Sequence, residues 1–482
     1  MLHATKLSEK KDFFIDGQWR APLQSRTIDV INPATEEAYA MVSAGTPGDI
    51  DLAVAAARAA FENWSQTSRE ERLIYLDKIA EIYSRRMEEM AEAISTEMGA
   101  PIKLARESQA SAGLSHIKAF IRAFKAFHFE SVPDKANPEQ KIVHEPIGVC
   151  GLITPWNWPM NQISLKVIPA IAVGCTVVLK PSEIAPMSAM LFAEFVHEAG
   201  VPAGVFNLVN GEGTVVGEAL SNHPDVDMMS FTGSTRAGIA VSRAAAATVK
   251  RVSLELGGKS PNLVFADSDL PAAIQRGVAQ CFENSGQSCN SPSRMLVERS
   301  VYDQAVALAK ASAETIKVAD PRKDGDHIGP VVSELQFNRI QALIQKGIDE
   351  GAQLIHGGPG RPEGINRGYY VRPTIFAGVN NEMTVAREEI FGPVLTMIPF
   401  DTEEEAVRIA NDTPYGLSGY IQTGDPERAK RVSRRIRAGM IQVNGAARAP
   451  GTPFGGYKQS GNGREGGEWG LEDFLEVKLI SG

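Results

Sequence analysis

Four cysteines, Cys150, Cys175, Cys281 and Cys289, are too few and too irregularly spaced for a disulfide framework, and no Cys-x-x-Cys pair marks a zinc site. Reduced thiols in a reducing compartment, and no metal, are the expectation. No stretch approaches the ~18 consecutive apolar residues of a membrane-spanning helix. The polar N-terminus, Met1 to Lys11, lacks the apolar core of a secretory signal, so a cytoplasmic protein with no membrane partner is expected. No run of Lys or Arg is long enough to track a phosphate backbone, and the formal net charge is −9, which argues against a nucleic-acid partner. Internal repeats and low-complexity tracts are absent too. What is present, 43% hydrophobic and 22% charged residues in 482, is the composition of a folded globular chain. At roughly three times the usual domain length, two or three compact units are expected.

The opening segment "FFIDGQW" sets Asp16-Gly17 between apolar runs and reads as a hairpin, with a second turn at Asn32-Pro33. Thr46-Pro47-Gly48-Asp49 matches a helix-capping box with Pro just inside the start, and Ser68 with Glu71 matches another. From Leu73 to Ile94 apolar residues recur at helical spacing until Gly99 and Pro101 stop the run. Past Gly148, β-rich apolar runs ("GVCGLIT", "TVVLK", "VFNLVN", "MMSFTG", "RVSLEL") alternate with helical patterns. That alternation requires crossover connections, hence parallel strands with helices on both faces. Ligands of such sheets bind at the carboxyl ends of the strands. A second α/β stretch runs from about Asn262 to Gly445. The polar segment between Ser131 and Pro146 and the strand-like "LEDFLEVKLIS" read as pieces that pair with each other or with another subunit.

The sharpest local feature is "NSGQSCN", where Cys289 follows a helix and a glycine in a polar, turn-forming context. Structural cysteines hide in apolar runs, as Cys150 and Cys175 do, and Cys281 lies on a helix with apolar neighbours. Alone, Cys289 reads equally as a reactive or a structural thiol. "LELGGKSPN" embeds Glu255 in an apolar strand broken by Gly257-Gly258. Desolvation there raises a carboxyl pKa toward the range of a general base, although a Glu paired with a buried cation fits equally well. In "LITPWNWPMNQ" two prolines and two tryptophans frame Asn157, which could donate to a developing oxyanion or cap the next helix. "VVLKPSE" puts Lys180 and Glu183 at a strand end, and "FTGST" opens a helix with Gly233 and Ser234, whose free N–H groups suit a phosphate. "NGEGTVVGEAL" nearly matches GxGxxG, with Val216 in the third glycine position.

Seven motifs, "PWNWP", "KPSE", "FTGS", "ELGGKSP", "GQSC", "EEIFGPV" and "PFGGYKQSG", occur in the order and approximate spacing of the aldehyde dehydrogenase superfamily, which the chain resembles from about Phe14 to its C-terminus. The resemblance implies an α/β fold: an atypical Rossmann-type cofactor domain (1–126 and 147–257), a second α/β catalytic domain (258–447) and a small β oligomerisation element (127–146 and 448–482). It implies NAD(P)-dependent oxidation of an aldehyde to a carboxylic acid, with Cys289 as nucleophile, Glu255 as general base and Asn157 as oxyanion donor. Lys180 belongs to both the catalytic and the cofactor-binding set. Lys180 and Glu183 would contact the adenine-side ribose, Trp156 and Ser234 the pyrophosphate, and Glu389 with Phe391 the nicotinamide ribose. Ile153, Thr154, Pro155, Ser182, Gly213, Gly217, Phe231, Thr232, Gly233, Leu256 and Gly257 complete the cofactor set. A carboxylate at Glu183 accepts from a ribose 2′-hydroxyl and repels a 2′-phosphate, so NAD is expected. NADP is the alternative, should Glu183 turn away and Lys180 neutralise the phosphate.

The same resemblance sets Asn161, Gln162, Leu165, Ser288, Asn290, Arg448 and Phe454 around the substrate entrance. A guanidinium at Arg448 suggests recognition of an anionic or polar tail, against the reading of an ion pair at a subunit interface. The expected substrate is a polar or acidic semialdehyde or an aromatic aldehyde, and the expected assembly a homodimer or homotetramer. Three alternatives differ in testable ways. A CoA-acylating dehydrogenase would release the thioester to CoA, a non-catalytic homologue would lack one of Cys289, Glu255 or Asn157, and a thiol hydrolase would need a histidine beside Cys289.

Overall fold

The computed structural model describes residues 8–481; most of the polar stretch from Met1 to Lys11 lies outside them. Two seven-stranded sheets dominate. The first contains β1 (Phe13–Ile15), β2 (Gln18–Arg20), β3 (Val149–Ile153), β4 (Thr176–Lys180), β5 (Phe206–Leu208), β6 (Met228–Thr232) and β7 (Arg251–Glu255) in the order β7-β6-β3-β4-β5-β1-β2. Strands β3 to β7 are mutually parallel, as the alternation of apolar runs and helices predicts. Chain order reverses between β3 and β6, the switch point at which a doubly wound sheet opens a crevice. β1 and β2 form the expected hairpin, with Asp16 and Gly17 both at positive φ as a tight turn of this hand requires.

Strands β3, β4 and β6 split their side chains between two cores. Cys150, Leu152, Val177 and Leu179 join one cluster with the helices Arg69–Arg85, Ser111–Ala126, Pro159–Val173 and Met187–Glu198. Val149, Ile153, Val178, Met229 and Phe231 join the other with the helix Pro47–Trp64. The period-two alternation of strand side chains makes an all-apolar strand bury both faces. Both capping boxes form, at Thr46 with Asp49 and at Ser68 with Glu71.

Two expectations are corrected. The periodic run from Leu73 to Ile94 is not one helix. It breaks at Arg86 (φ −103°, ψ 19°) into Arg69–Arg85 and Met87–Met98, and the Arg86 guanidinium leaves the turn to reach Glu194 at 3.1 Å and the ring of Phe195. The C-terminal segment is strand only over Leu475–Ile480, because Gly467–Glu472 is a short helix. The strand pairs antiparallel with Lys141–Pro146 of the same chain, from Leu475 opposite Pro146 to Ile480 opposite Lys141.

The second sheet holds β8 (Pro261–Val264), β9 (Arg294–Glu298), β10 (Gln353–His356), β11 (Thr374–Ala377), β12 (Val394–Phe400), β13 (Ser418–Gln422) and β14 (Met440–Val443) in the order β10-β11-β12-β9-β8-β13-β14, with only β10 antiparallel. Arg294 ties its middle together. Fully buried, it donates to Asn381 and to the carbonyls of Lys259, Ile409 and Ala410 at 2.8–3.1 Å. Among the described residues no helix is long and apolar enough to cross a membrane. Replacing Arg294 by Met keeps the volume but strands three buried acceptors, the Asn381 amide oxygen and the Lys259 and Ala410 carbonyls, so Arg294→Met is expected to lose ~3 kcal/mol or more, read as a lower urea midpoint at unchanged slope.

Candidate active site

The carboxyl ends of β3, β4, β6 and β7 gather one set of loops. β3 runs through buried Ile153 into Thr154, Pro155 and Trp156, and the Thr154 N–H bonds the Lys180 carbonyl of β4 at 3.2 Å. Lys180 Nζ pairs with the Glu183 carboxylate at 2.6 Å, and the other Glu183 oxygen accepts from the Gly213 N–H at 3.3 Å. Burial opposes ionisation of Glu183, but Lys180 overrides it and holds that carboxyl below its ordinary range. Ser182 turns its hydroxyl back onto the Ile184 N–H.

Ser234 caps the eleven-residue helix Thr235–Ala245 by accepting from Ala237. Gly233 before it has no room for a side chain, since a Cβ would lie 2.6 Å from the Phe231 ring. Gly217 packs near Ile153, and Leu256 is buried in the cluster that holds Ile153 and Phe231. Across the cleft Phe391, at φ 57°, meets Trp156 edge to face at 5.4 Å. Glu389 accepts from the Gly258 N–H at 2.8 Å, and burial pushes its carboxyl up to about 7. The hydroxyls of Thr154 and Thr232 are buried without a partner among the described residues, leaving hydrogen-bonding capacity at these strand ends. A helix N-terminus, a side-chain-free glycine, a lysine–carboxylate pair and unspent hydroxyls fit a dinucleotide.

Gly257 and Gly258 explain why β7 ends where it does. A Cβ on Gly257 would strike the Glu389 carboxylate, and one on Gly258 would strike the Cys289 carbonyl. The pair therefore lets the first sheet touch the loop that carries Cys289. Just ahead of that cysteine, Asn284 (φ 52°, ψ 32°) and Ser285 (φ 56°, ψ 31°) are both left-handed, a conformation costing non-glycine residues ~1–2 kcal/mol each. Side-chain bonds hold them: Asn284 Nδ2 to the Asn157 carbonyl at 3.0 Å, Ser285 Oγ to Gly329 at 2.8 Å and Gln287 Nε2 to the Asn284 carbonyl at 3.0 Å. Asn157, buried, sends one Nδ2 hydrogen to the Gln287 carbonyl at 2.9 Å and so stands beside the cysteine loop.

Cys289 is the one cysteine of the four that is not fully buried. Partial burial, then the charges of Glu389, Glu255 and Glu465, push its thiol up, while the Asn290 N–H opposes them. Glu255 is buried with neither carboxylate oxygen hydrogen-bonded among the described residues, walled by Gly455, whose Cβ would lie 2.6 Å from Oε1. Burial first, then Glu465, raises its carboxyl well above the ordinary range, with Lys166 and Arg464 opposing. Lys166 is itself buried, 2.7 Å from Glu465.

Cys289 opens into a cavity of about 350 Å³ whose wall includes Trp158, Asn161, Gln162, Ser288, Asn290, Tyr420, Met440, Arg448 and Phe454. Leu165, expected at this entrance, is instead 3% exposed and belongs to the core cluster, one helical turn below Asn161. Arg448 carries no ion pair among the described residues; its guanidinium lies 4.7 Å from the Phe454 ring centre. Sequence reasoning missed Trp158, which donates to Ser288 Oγ at 2.9 Å, and Tyr420, whose hydroxyl donates to the Asn290 carbonyl at 2.7 Å. It also missed Lys166, although a lone charge in the apolar "ISLKVIPAIAV" was a visible signal. Among the described residues no histidine lines the cavity, so none stands beside Cys289 as a thiol hydrolase would require.

Residues 19–480 match the family model described as "Aldehyde dehydrogenase family". A 3-succinoylsemialdehyde-pyridine dehydrogenase from a Pseudomonas species is 52% identical over 99% of each chain. The crystal structure of an aldehyde dehydrogenase from Bartonella henselae superposes with a TM-score of 0.97 at 55% identity, covering 98% of this chain and 100% of that one. A cysteine-to-alanine mutant of aldehyde dehydrogenase C from Pseudomonas syringae, complexed with NAD+ and octanal, superposes at 0.96 with 53% identity over 98% and 96% of the two chains. With the family model spanning nearly the whole length, and relatives this similar from end to end, the chain belongs to the aldehyde dehydrogenase family.

Proposed function

We propose that the protein oxidises a polar or aromatic aldehyde to the carboxylic acid with NAD, through a thioester on Cys289. The observation that supports this is that the loops of Asn157, Glu255 and Cys289, far apart in sequence, converge beside the cavity onto which Cys289 opens. Cys289 Sγ, as the thiolate left once its proton has passed to solvent, attacks the aldehyde carbon, and the second Nδ2 hydrogen of Asn157 with the Cys289 backbone N–H receives the oxyanion. When bound, NAD supplies the hydride acceptor. Glu255, hydrogen-bonded to no other side chain among the described residues, is placed to take, once ionised, a proton from the water that hydrolyses the acyl thioester, which favours hydrolysis over transfer to CoA.

Glu183, already ionised beside Lys180, would accept a ribose 2′-hydroxyl and disfavour NADP. In this reading 1–126 with 147–257 bind cofactor, 258–447 carry the cysteine, and 127–146 with 448–482 bridge copies in a homodimer or homotetramer. Exposed Val477, Leu479 and Ile480 on the C-terminal strand support such a contact. Four free thiols support the cytoplasm.

For substrate, the cavity wall contains no Leu, Ile or Val among the described residues; its apolar area comes from Trp158, Tyr420, Met440, Phe454 and Pro292, with amides, the Glu283 carboxyl and Arg448 between them. An aromatic or oxygen-bearing tail finds stacking and hydrogen bonds there. The name of the Pseudomonas relative, a ketone-bearing pyridine semialdehyde dehydrogenase, favours this class, whereas the octanal complex favours an alkyl one.

Cys289→Ala should abolish acid formation, measured by NADH absorbance without CoA. Glu255→Gln should retain a single NADH burst while steady turnover falls at least ~100-fold, general-base catalysis being worth about that much. A fall in burst and turnover together would reject Glu255 as the deacylation base. Because the thiol is raised, it is protonated at neutral pH, so iodoacetamide alkylation of ligand-free enzyme should keep climbing above the ordinary cysteine pKa of ~8.5. Arg448→Ala should lower kcat/KM for keto- or carboxy-semialdehydes roughly tenfold or more, about one charged hydrogen bond, while sparing octanal.

A further inference from the structure

We propose that Gln109 is a positioning residue that holds the nucleophile and the oxyanion donor in register through the left-handed turn at Asn284-Ser285; this rests on the roles of Cys289 and Asn157 given above. Gln109 sits in a π-helical turn, Ala105–Ala110, between the helices Ile102–Leu104 and Ser111–Ala126. Such a turn inserts a residue into helical register and re-aims the side chains around it, and recurs at functional sites. Gln109 is 1% exposed. Its Nε2 donates to Asn284 Oδ1 at 2.9 Å and to the Asn157 carbonyl at 3.4 Å, beside Met98 Sδ at 3.1 Å.

The amide works as a donor alone, for its Oε1 is buried with no partner among the described residues. A flipped amide would face two acceptor oxygens, because Asn284 Nδ2 is already committed to the Asn157 carbonyl. Gln109 and Asn284 thereby meet on one carbonyl, that of Asn157, while the Asn157 side chain reaches back to Gln287, two residues before Cys289. The result is a closed loop of bonds through Gln109, Asn284, Asn157 and Gln287. Opening it at Gln109 frees Asn284 Oδ1, and the left-handed turn loses a tie that no neighbour replaces. The Asn157 amide and Cys289 then shift relative to one another, which weakens the transition state more than the binding of either substrate.

The test compares Gln109→Leu, Gln109→Glu and Cys289→Ala with the wild type. Gln109→Leu keeps the bulk and removes both donors. It should lower kcat at least tenfold, leave KM for NAD within twofold and change the alkylation rate of Cys289. Gln109→Glu cannot donate when ionised but donates once when protonated, and the contacts named for Gln109 include no charged group. Its activity relative to wild type should therefore rise as pH falls from 9 to 6. Wild-type kcat in Gln109→Leu, or a Gln109→Glu ratio flat with pH, overturns the proposal. If Gln109→Leu fails to fold, the pH course of Gln109→Glu decides. Retained activity in Cys289→Ala would instead overturn the reading on which the proposal rests.

Discussion

At Gly258 the end of one sheet and the cysteine loop of the other come so close that a single methyl group would separate them. The loop carrying Cys289 belongs to the second sheet's connections, while Asn157 and Glu255 stand at strand ends of the first. Neither half holds a complete set of reacting groups. Contact through Gly257 and Gly258 completes the set, and the neighbouring Lys259 carbonyl is held from behind by the buried Arg294. Stability in the second sheet and geometry in the site thus share one segment of backbone. That coupling is why a core substitution at Arg294 would be felt in the chemistry.

Electrostatics follows from the same crowding. Three carboxylates, Glu255, Glu389 and Glu465, bear on one half-buried thiol, and the buried cation Lys166 is spent on Glu465. Burial and like charge drive the thiol and the Glu255 carboxyl the same way, toward their protonated forms. The ligand-free protein therefore keeps its nucleophile as a thiol.

Much of this was legible along the chain. Asp16-Gly17, the two capping boxes and the parallel strands depend on neighbours within a few residues or on repeating period, and each appears where local chemistry requires it. Cys289, Glu255 and Asn157 stood out because each violates its surroundings: a thiol among turn residues, a carboxylate inside an apolar strand, an amide between prolines. Long-range partnerships were not legible. The Lys166–Glu465 pair spans 299 positions, and Tyr420 reaches the cysteine loop only through strand order in the second sheet. The break at Arg86 is set by Glu194 and Phe195 on another helix, against a helical period that continues unbroken through it. Leu165 was misplaced for a related reason. Its spacing from Asn161 puts both on one side of a helix, yet that helix is buried almost all round, and only its first turn meets the cavity.

The strained turn before Cys289 shows how such a site can be rigid without being tightly packed. Two consecutive left-handed non-glycine residues cost more than a loop alone repays, and they persist because amide side chains overdetermine them. Amides suit the task because they donate and accept without titrating. A carboxylate or an amine in the same positions would add a fourth charge beside Cys289 and change protonation with pH. Neutral bonds therefore set the geometry, and the charged groups around the thiol are left to govern its reactivity.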